Sequence, residues 1–273
     1  MQAQQRLHEM ANSTNNLLTI LPESEKSAFY EQPEFNNKQR MEFLQLSGDE
    51  LQLAFQLTTI ESQVYCIIQI GYFKAVKLFF RIDWDQVSKD DIAFILSQYF
   101  LNQKFIPQPI SKREHYAICK LVGQHFSYQA WSSSMHSQLL AQAMKIVQRD
   151  TSAQVIALDL LSYLQENKII RPGYTTLQRI VSVAINAENT RLFNTIRTSL
   201  SAEDESLIQK LLAESNSLSG LAALKQDAKD FKHRAIIAEW NKLLTLTPIY
   251  LIIKKLLPEL KLSQQNIWNL KFF

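Results

Sequence analysis

The side chains with the clearest chemical potential lie between Arg171 and Arg179, where the chain reads Arg-Pro-Gly-Tyr-Thr-Thr-Leu-Gln-Arg. Hydroxyl and amide groups can hydrogen-bond to phosphates and base edges, and an arginine can pair bidentately with guanine. Arg171 flanks the segment, and five polar residues follow around the first turn of a predicted helix: Tyr174, Thr175, Thr176, Gln178 and Arg179. This pattern is typical of a helix end that enters a major groove.

Two predicted helices position these side chains. The first spans 152–166 and the second runs from Thr175 to about 187, with a turn between them that contains Gly173. Helices joined in this way are a helix-turn-helix candidate, although the turn is longer than the three to four residues of the compact motif. An ordinary helical hairpin, in which Thr175 and Gln178 only cap the second helix, is the alternative interpretation.

Further cations lie at two other predicted helix starts. Ser111-Lys112-Arg113-Glu114 fits a capping box, and it places two cations where the helix dipole disfavours them. Such cations can indicate that an anion binds there, so Lys112 and Arg113 are candidate phosphate contacts; a solvated surface turn is the alternative. Lys232-His233-Arg234 is a second basic cluster, and its Lys232 and Arg234 fit either a solvated face or a clamp on the DNA backbone.

A long apolar helix is predicted over about 60–81, from apolar residues at three- and four-residue spacing. Gly71 interrupts it, at a cost of about 1 kcal/mol relative to alanine. We expect Gly71 to allow close approach of another helix or of a ligand backbone. Tyr72, Lys74 and Lys77 follow beside this open position, which makes Lys74 a further candidate DNA contact.

Several of these segments resemble one known family. Gln69-Ile70-Gly71-Tyr72-Phe73-Lys74-Ala75, followed by Phe79-Phe80, resembles a signature from the N-terminal region of replicative transposases of the Tn-three family. The resemblance extends over about 17–267, through Leu17–Pro22, Leu46–Leu51, Gln98-Tyr99-Phe100 and Arg171–Gln178. Gln98 replaces an arginine of the family pattern, so that position is not expected to be cationic.

The resemblance implies sequence-specific binding of transposon terminal inverted-repeat DNA by two small helical domains, 17–148 and 149–265. It also implies that strand transfer belongs to an RNase H-like domain with magnesium-binding carboxylates, onto which no residue of this chain maps. We therefore expect no enzymatic activity, cofactor or metal. The alternative is a helical protein-protein or regulatory module, such as a truncated inhibitor that pairs with full-length transposase.

Composition supports an all-α fold. The 273 residues include only five glycines and seven prolines, too few for a turn-rich sandwich or barrel. Helices are predicted over about 23–31, 36–44, 48–57, 60–81, 89–99, 111–122, 132–148, 152–166 and 175–187, and then over 190–200, 201–212, 218–231 and 232–246. Pro248 and Pro258 are expected to start or break helices.

Charge and targeting signals are weak. The net charge is +3, with 16 cationic and 12 anionic residues from position 149 onward. This bias permits a polyanionic partner without requiring one. The longest apolar stretch, 249–257, contains Lys254 and Lys255 and falls short of the ~20 residues of a membrane span. We expect no signal peptide, no membrane partner and a bacterial cytoplasmic location, associated with the nucleoid when bound to DNA.

Other candidate chemistry is weaker. Asp83, Asp85, Asp90 and Asp91 suit helix N-termini better than a metal site. His115 and Cys119 are four residues apart on one helix, but no second pair completes a zinc site. Cys66 and Cys119 both lie in apolar helical patterns, which argues against a disulfide framework.

Overall fold

The structure, a computed structural model, describes residues 18–101, 103–213, 230 and 232–261. Within these ranges the chain is helical, and its only β-type pairing is the isolated bridge between Gln129 and Ile169. The predicted all-α fold is therefore confirmed.

Eleven α-helices occur in the described ranges. They are α1 (Glu23–Tyr30), α2 (Asn37–Gln39), α3 (Gly48–Phe55), α4 (Ile60–Val76), α5 (Lys89–Tyr99), α6 (Lys112–His125), α7 (Ser133–Val147), α8 (Ala153–Glu166), α9 (Tyr174–Ser199), α10 (Ala202–Ala213) and α11 (His233–Leu260). A π-helical turn (Arg40–Leu44) continues α2, and a 3-10 turn (Trp84–Gln86) precedes α5. The helix predicted over 218–231 lies almost entirely outside the described residues.

The chain forms two compact units. The first comprises 18–146 and 152–183, and the second comprises 147–151 together with the described residues from 184 onward. α8 and the first part of α9 therefore belong with the first unit. The domain limits predicted at 148 and 149 divide the chain differently, and they stay a prediction about folding domains.

Helix α4 is the centre of the first unit. Its residues from Val64 to Phe73 are all buried, so the helix is enclosed on every side rather than along one stripe. Side chains from the π-helical turn, α3, α5 and α6 complete this apolar cluster. A helix that is apolar all round is expected to lie in the core of a protein of this size.

Helix α4 ends five residues earlier than predicted. Lys77 adopts a left-handed conformation with φ of 56°, and its backbone N–H donates to the carbonyl of Phe73. The chain then reverses, because the buried Gln69 amide accepts from the backbone N–H of Phe80 and donates to its carbonyl. The ring of Phe79 stacks on Phe73 at a centroid distance of 4.8 Å. These contacts stabilise an extended segment where the apolar pattern alone predicted helix.

Gly71 allows another element of the first unit to approach α4 closely. A Cβ atom at Gly71 would meet the side chain of Leu44 closely and would lie 3.5 Å from the ring of Phe35. The following Tyr72 is buried, and its hydroxyl accepts from the side-chain amide of Gln32 at 3.0 Å. The position expected to be open is therefore filled.

The helix caps follow the sequence in part. Ser47 and Glu50 form the predicted capping box at the start of α3. At α6, Ser111 accepts from the backbone N–H of Glu114, but the carboxylate of Glu114 accepts instead from the hydroxyl of Ser62. The second predicted capping box is therefore only half formed, because the carboxylate of Glu114 binds Ser62 instead of the backbone N–H of Ser111.

In the second unit, one side of the C-terminal half of α11 packs against α9 and α10. Ile252, Leu256 and Leu260 contact a small apolar cluster with residues of α9 and α10. Pro248 and Pro258 lie inside α11, so the expectation that they start or break helices was wrong. Each proline removes a single N–H donor, and the helix continues on both sides of it.

By length and composition, α11 is the only helix in the described ranges that could cross a membrane. It is 28 residues long, and most of its large apolar side chains are exposed. The helix predicted over 232–246 is the first half of α11, and its continuation to Leu260 was not predicted because Pro248 and Pro258 suggested shorter elements. The absence of a membrane partner stays a prediction.

Candidate nucleic-acid interface

The turn between α8 and α9 is held by backbone hydrogen bonds within the first unit. The N–H of Gln129 donates to the carbonyl of Lys168 at 2.8 Å, and the N–H of Ile170 donates to the carbonyl of Gln129 at 2.9 Å. Ile170 also packs against Gly123 of α6. Helix α6 continues through Gly123 to His125, beyond its predicted end. Gly123 does not end the helix but gives Ile170 the space to pack against it.

Helix α9 begins one residue before the predicted start. The carbonyl of Gly173 accepts from the N–H groups of Thr176 and Leu177, at 2.9 and 3.2 Å. Thr175 lies inside the first turn, so the predicted capping pair of Thr175 and Gln178 does not form. α9 also continues to Ser199 without the break that was predicted between 187 and 190.

The first two turns of α9 have a buried and an exposed face. Leu177, Ile180 and Val181 are buried, whereas Thr175 and Arg179 are exposed, and Thr176 is half-buried. Thr175 and Arg179 are one helical turn apart and face the same way. They are the part of the predicted recognition helix that is available to a partner.

Two predicted contact residues are buried instead. The side-chain amide of Gln178 donates to the carbonyl of Leu18 at 2.7 Å. Arg171 is 9% exposed, with its guanidinium over the ring of Phe29 at 5.0 Å and its Nη1 donating to the Phe29 carbonyl at 3.5 Å. In this structure both side chains tie the α8–α9 segment to the N-terminal part of the first unit.

Tyr174 is half-buried beside helix α1. Its ring lies edge-on to Tyr30 at a centroid distance of 5.5 Å, and the ammonium of Lys26 lies 5.5 Å from its centre. Lys26 also pairs with Glu23 at 2.8 Å, and this contact raises the pKa of the lysine. The surface beside the start of α9 thus contains charges of both signs.

Lys112 and Arg113 are exposed at the start of α6. The ammonium of Lys112 lies 5.9 Å from the ring centre of Tyr116, one turn along the same helix. Two exposed cations beside free N-terminal amides are a favourable arrangement for an anion. This is the placement that the sequence predicts for phosphate contacts.

The remaining predicted cations differ in their surroundings. Lys74 is half-buried; its ammonium lies 3.3 Å from a carboxylate oxygen of Glu50 and 3.3 Å from the carbonyl of Gln45. Lys232 and Arg234 are exposed at the start of α11 in the second unit, where the ammonium of Lys232 lies 3.5 Å from Asp230. Lys74 therefore has an acidic partner in the core of the first unit.

Two groups on which the charge of Arg171 acts were not predicted as site residues from the sequence. Tyr30 has a buried hydroxyl with no hydrogen-bond partner in the described part of the chain, and burial raises its pKa. Lys77 is half-buried, and its pKa is lowered first by burial and then by the charges of Arg171 and Lys74. Tyr30 lies in no sequence motif that would predict a role in binding. Lys77 was noted only as one of the residues that follow Gly71.

The weaker chemical candidates have structural roles. Asp91 is buried and pairs with Arg40 at 2.6 Å, and the imidazole Nδ1 of His115 lies 2.8 Å from the hydroxyl of Tyr65. Burial raises the pKa of the Cys66 and Cys119 thiols to about 12. Among the residues that the structure describes, no group of three or more His, Cys, Asp or Glu side chains could hold a metal.

A comparison with curated proteins finds no match. A family model described as "Domain of unknown function (DUF4158)" matches residues 20–184, which is more than half of the chain. This match covers the first unit apart from its N-terminal end, and it includes the Gly71 segment, the start of α6, helix α8 and the first part of α9. The chain therefore belongs to the DUF4158 family, whose domain is found in transposases of the Tn-three family.

Proposed function

We propose that this chain binds the terminal inverted-repeat DNA of a transposon, as the N-terminal part of a replicative transposase and without strand-transfer chemistry of its own. The observation that carries the proposal is the family match, because it extends over α8 and the first part of α9, where Thr175 and Arg179 are exposed. A threonine and an arginine one turn apart on an exposed helix face suit contacts to base edges.

Sequence discrimination is assigned to the exposed face of α9. Arg179 is its only cation in the first two turns and can pair with guanine. Thr175 and Thr176 can donate to a base or a phosphate. Tyr174, Arg171 and Gln178 are assigned a supporting role in this proposal, since their side chains contact α1 or the segment before it.

Affinity that does not depend on sequence is assigned to the exposed cations Lys112, Arg113, Lys232 and Arg234. Each cation that neutralises a phosphate releases a counterion, and each contributes about 0.9 to the salt slope. Four such contacts give a slope of about −4 for the logarithm of affinity against the logarithm of salt concentration. Lys74 is not counted, because Glu50 already compensates its charge.

Fluorescence anisotropy with labelled duplexes tests this proposal. One duplex contains the terminal repeat of the element that encodes the chain, and the control duplex contains the same bases in scrambled order. We expect tighter binding of the repeat at every salt concentration, with both affinities falling as salt rises. Equal affinities for the two duplexes would reject sequence-specific recognition, and no binding at low salt would reject DNA binding altogether.

A helical protein-protein module is the second candidate, and α11 favours it. Several large apolar side chains of this helix are exposed, among them Ile236, Trp240, Leu243, Tyr250 and Leu251. Trp240 is 62% exposed and Tyr250 is 61% exposed. A continuous apolar surface of more than a few hundred Å² is uncommon on a monomer and typically marks an interaction site.

Co-sedimentation with full-length transposase distinguishes this candidate from DNA binding. The interaction module predicts a complex that Trp240→Glu abolishes and that the neighbouring control Asn241→Glu retains. Both variants add one negative charge to exposed positions of the same helix. If the protein instead partitions onto phospholipid vesicles, and Trp240→Glu prevents this, the apolar face belongs to a membrane contact and the second candidate is wrong.

A further inference from the structure

Arg171 is a buried cation whose donors are poorly satisfied. A guanidinium carries five N–H donors, and removing it from water is unfavourable unless it is paired. Its Nη1 contact to the Phe29 carbonyl is long, at 3.5 Å, and its buried Nε has no partner in the part of the chain that the structure describes. The ring of Phe29 covers one face of the guanidinium. Within the described ranges, no carboxylate pairs with Arg171, and burial lowers its pKa.

Lys77 is a second cation in the same region. Its left-handed backbone ends α4, and its ammonium donates to the carbonyl of Lys74 at 2.8 Å. The same ammonium lies 5.7 Å from the ring centre of Phe73. None of the ion pairs in the described ranges includes Lys77, and Arg171 is close enough to lower its pKa. The charges of a buried and a half-buried cation thus act on each other, and neither side chain pairs with a carboxylate among the residues that the structure describes.

Tyr30 adds a hydroxyl to these cations. Its oxygen is buried and unpartnered in the described residues, and its ring packs edge-on against Tyr174. The charge of Arg171 acts on this hydroxyl and opposes the effect of burial on its pKa. Tyr30 immediately follows Phe29, whose ring and carbonyl contact the guanidinium. Arg171 and Tyr30 therefore lie together where α1 contacts the α8–α9 segment. Lys77, at the end of α4, is within range of the charge of Arg171.

We propose that Arg171, Lys77 and Tyr30 form a binding site for a phosphate group. All three present donors, and a phosphate offers several strong acceptor oxygens together with the negative charge that the two cations lack. A guanidinium pairs with phosphate oxygens through two parallel N–H bonds, which the free Nε and a neighbouring Nη can supply. The site differs from the start of α6, where Lys112 and Arg113 are exposed to solvent.

The phosphate has two possible sources. It can belong to a small phosphorylated molecule, which suits the recessed position of Arg171, or to the backbone of bound DNA. The second source rests on the proposed function, whereas the first does not. The two sources share the same recognition chemistry, and separate measurements distinguish them.

Thermal unfolding in inorganic phosphate tests the site itself. Relative to sodium chloride of equal ionic strength, phosphate at ten times its dissociation constant should raise the Tm by about 3 °C. Arg171→Met should abolish this rise and should leave the Tm in chloride unchanged or higher, because it removes an uncompensated buried charge. The control Arg179→Met changes an exposed arginine and should keep the rise.

Lys77→Met and Tyr30→Phe provide a second measurement if Arg171→Met fails to fold. Both replacements keep the apolar part of the side chain, and each should weaken phosphate binding measured by calorimetry. The affinity of Lys77→Met should fall by about tenfold, because this change removes a charge-assisted hydrogen bond. The proposal is overturned if phosphate gives the wild-type protein no more stability than chloride does. It is also overturned if these variants respond to phosphate as Arg179→Met does.

Anisotropy measurements with the terminal-repeat duplex identify the source. If the site holds a backbone phosphate, Lys77→Met weakens DNA binding and reduces the salt slope by about one. If it holds a small molecule, the variant binds DNA as the wild-type protein does while losing its response to phosphate. A wild-type protein that is stabilised by phosphate but binds no duplex rejects the proposed function and supports this site.

Discussion

Leu44 packs directly against the backbone of Gly71. The side chain of Leu44, from the π-helical turn, occupies the space that a Cβ atom at position 71 would need. Gly71 is fully enclosed, and Phe35 limits the space from a second direction. A glycine inside the central helix is thus required by the approach of a neighbouring element and not by backbone conformation.

Overpacking of a filled core costs roughly 1–3 kcal/mol, and the higher helix propensity of alanine returns about 1 kcal/mol of this. Gly71→Ala should therefore destabilise the protein by up to about 2 kcal/mol. Urea unfolding followed by circular dichroism measures this change. Gly48→Ala is the matched control, because a Cβ at Gly48 meets nothing within 4 Å; its effect should stay within about 0.5 kcal/mol. Combining Gly71→Ala with Leu44→Ala should recover part of the loss, and strict additivity of the two changes would contradict this packing.

Asp91→Asn should cost far more than Asp90→Asn, although the residues are adjacent and both contact Arg40. Asp91 is 2% exposed and binds the Nε of Arg40 at 2.6 Å, whereas Asp90 is exposed and lies 3.4 Å away. Loss of the buried partner leaves Arg40 with only the exposed and more distant Asp90, so the cost should approach the roughly 3–5 kcal/mol of a broken buried ion pair. Both changes remove a carboxylate from the first turn of α5, so the helix-dipole contribution is matched. Chemical denaturation of the two variants provides the comparison.

Stability should fall as the pH drops below the usual pKa of histidine, in part because of His115. Burial and the nearby charge of Arg81 lower the pKa of this imidazole in the folded protein. The unfolded chain then binds more protons than the folded chain, so the contribution is complete above a pH of about 6.5 and is lost below it. His115→Gln should flatten the pH dependence of the unfolding free energy between about pH 5.5 and 7. If the unfolding free energy of this variant depends on pH as that of the wild-type protein does, groups other than His115 cause the loss of stability at low pH.

Both cysteines should resist alkylation in the folded protein. Cys66 and Cys119 are buried, and their thiols have pKa values of about 12, so little thiolate forms near neutral pH. The thiolate is the reactive species. Mass spectrometry after iodoacetamide treatment at pH 8 should show almost no modification in buffer and two modified residues in urea. Rapid modification of either thiol in buffer would show that its helix opens readily.

Arg179→Ala should reduce the affinity for the terminal repeat by roughly 1–3 kcal/mol while leaving binding to scrambled DNA almost unchanged. The reason is that a base contact contributes only at the correct site. Arg113→Ala is the contrasting variant, since a phosphate contact should weaken both complexes equally and reduce the salt slope by about one. If Arg179→Ala retains full sequence preference, the assignment of α9 as the recognition helix is wrong.

Local patterns predicted the helices well. The apolar periodicity placed most of them, and Ser47 with Glu50 marked the start of α3 correctly. The errors occurred where tertiary contacts outweigh local signals. Gln69 stabilises the reversal after α4, Ile170 packs on Gly123 inside α6, and α9 continues through a polar stretch near Thr190. Gln69 and Phe80 are 11 positions apart, and Gly123 and Ile170 are farther apart still, so a short sequence window could not identify these contacts.

The candidate site was harder to predict than the fold. Residue type indicated hydrogen-bonding capacity in Arg171 and Gln178, but it could not indicate that both side chains are buried against 18–29. The same limit applies to Lys74, whose acidic partner lies 24 positions away. Exposed cations at helix starts, such as Lys112 and Arg113, were predicted correctly in placement because a helix N-terminus usually reaches solvent.

The outer side of α11 has a consequence for how the isolated chain behaves at the bench and during synthesis. Trp240, Tyr250 and their apolar neighbours remain in contact with water, so a fluorescent dye such as ANS should bind the native protein at neutral pH without any denaturant. Dilute samples should run as single particles and concentrated ones should precipitate. During synthesis, the exposed apolar side chains of α11 would become accessible to molecular chaperones as soon as the helix leaves the ribosomal exit tunnel. The yield of soluble protein should therefore depend on the amount of chaperone available.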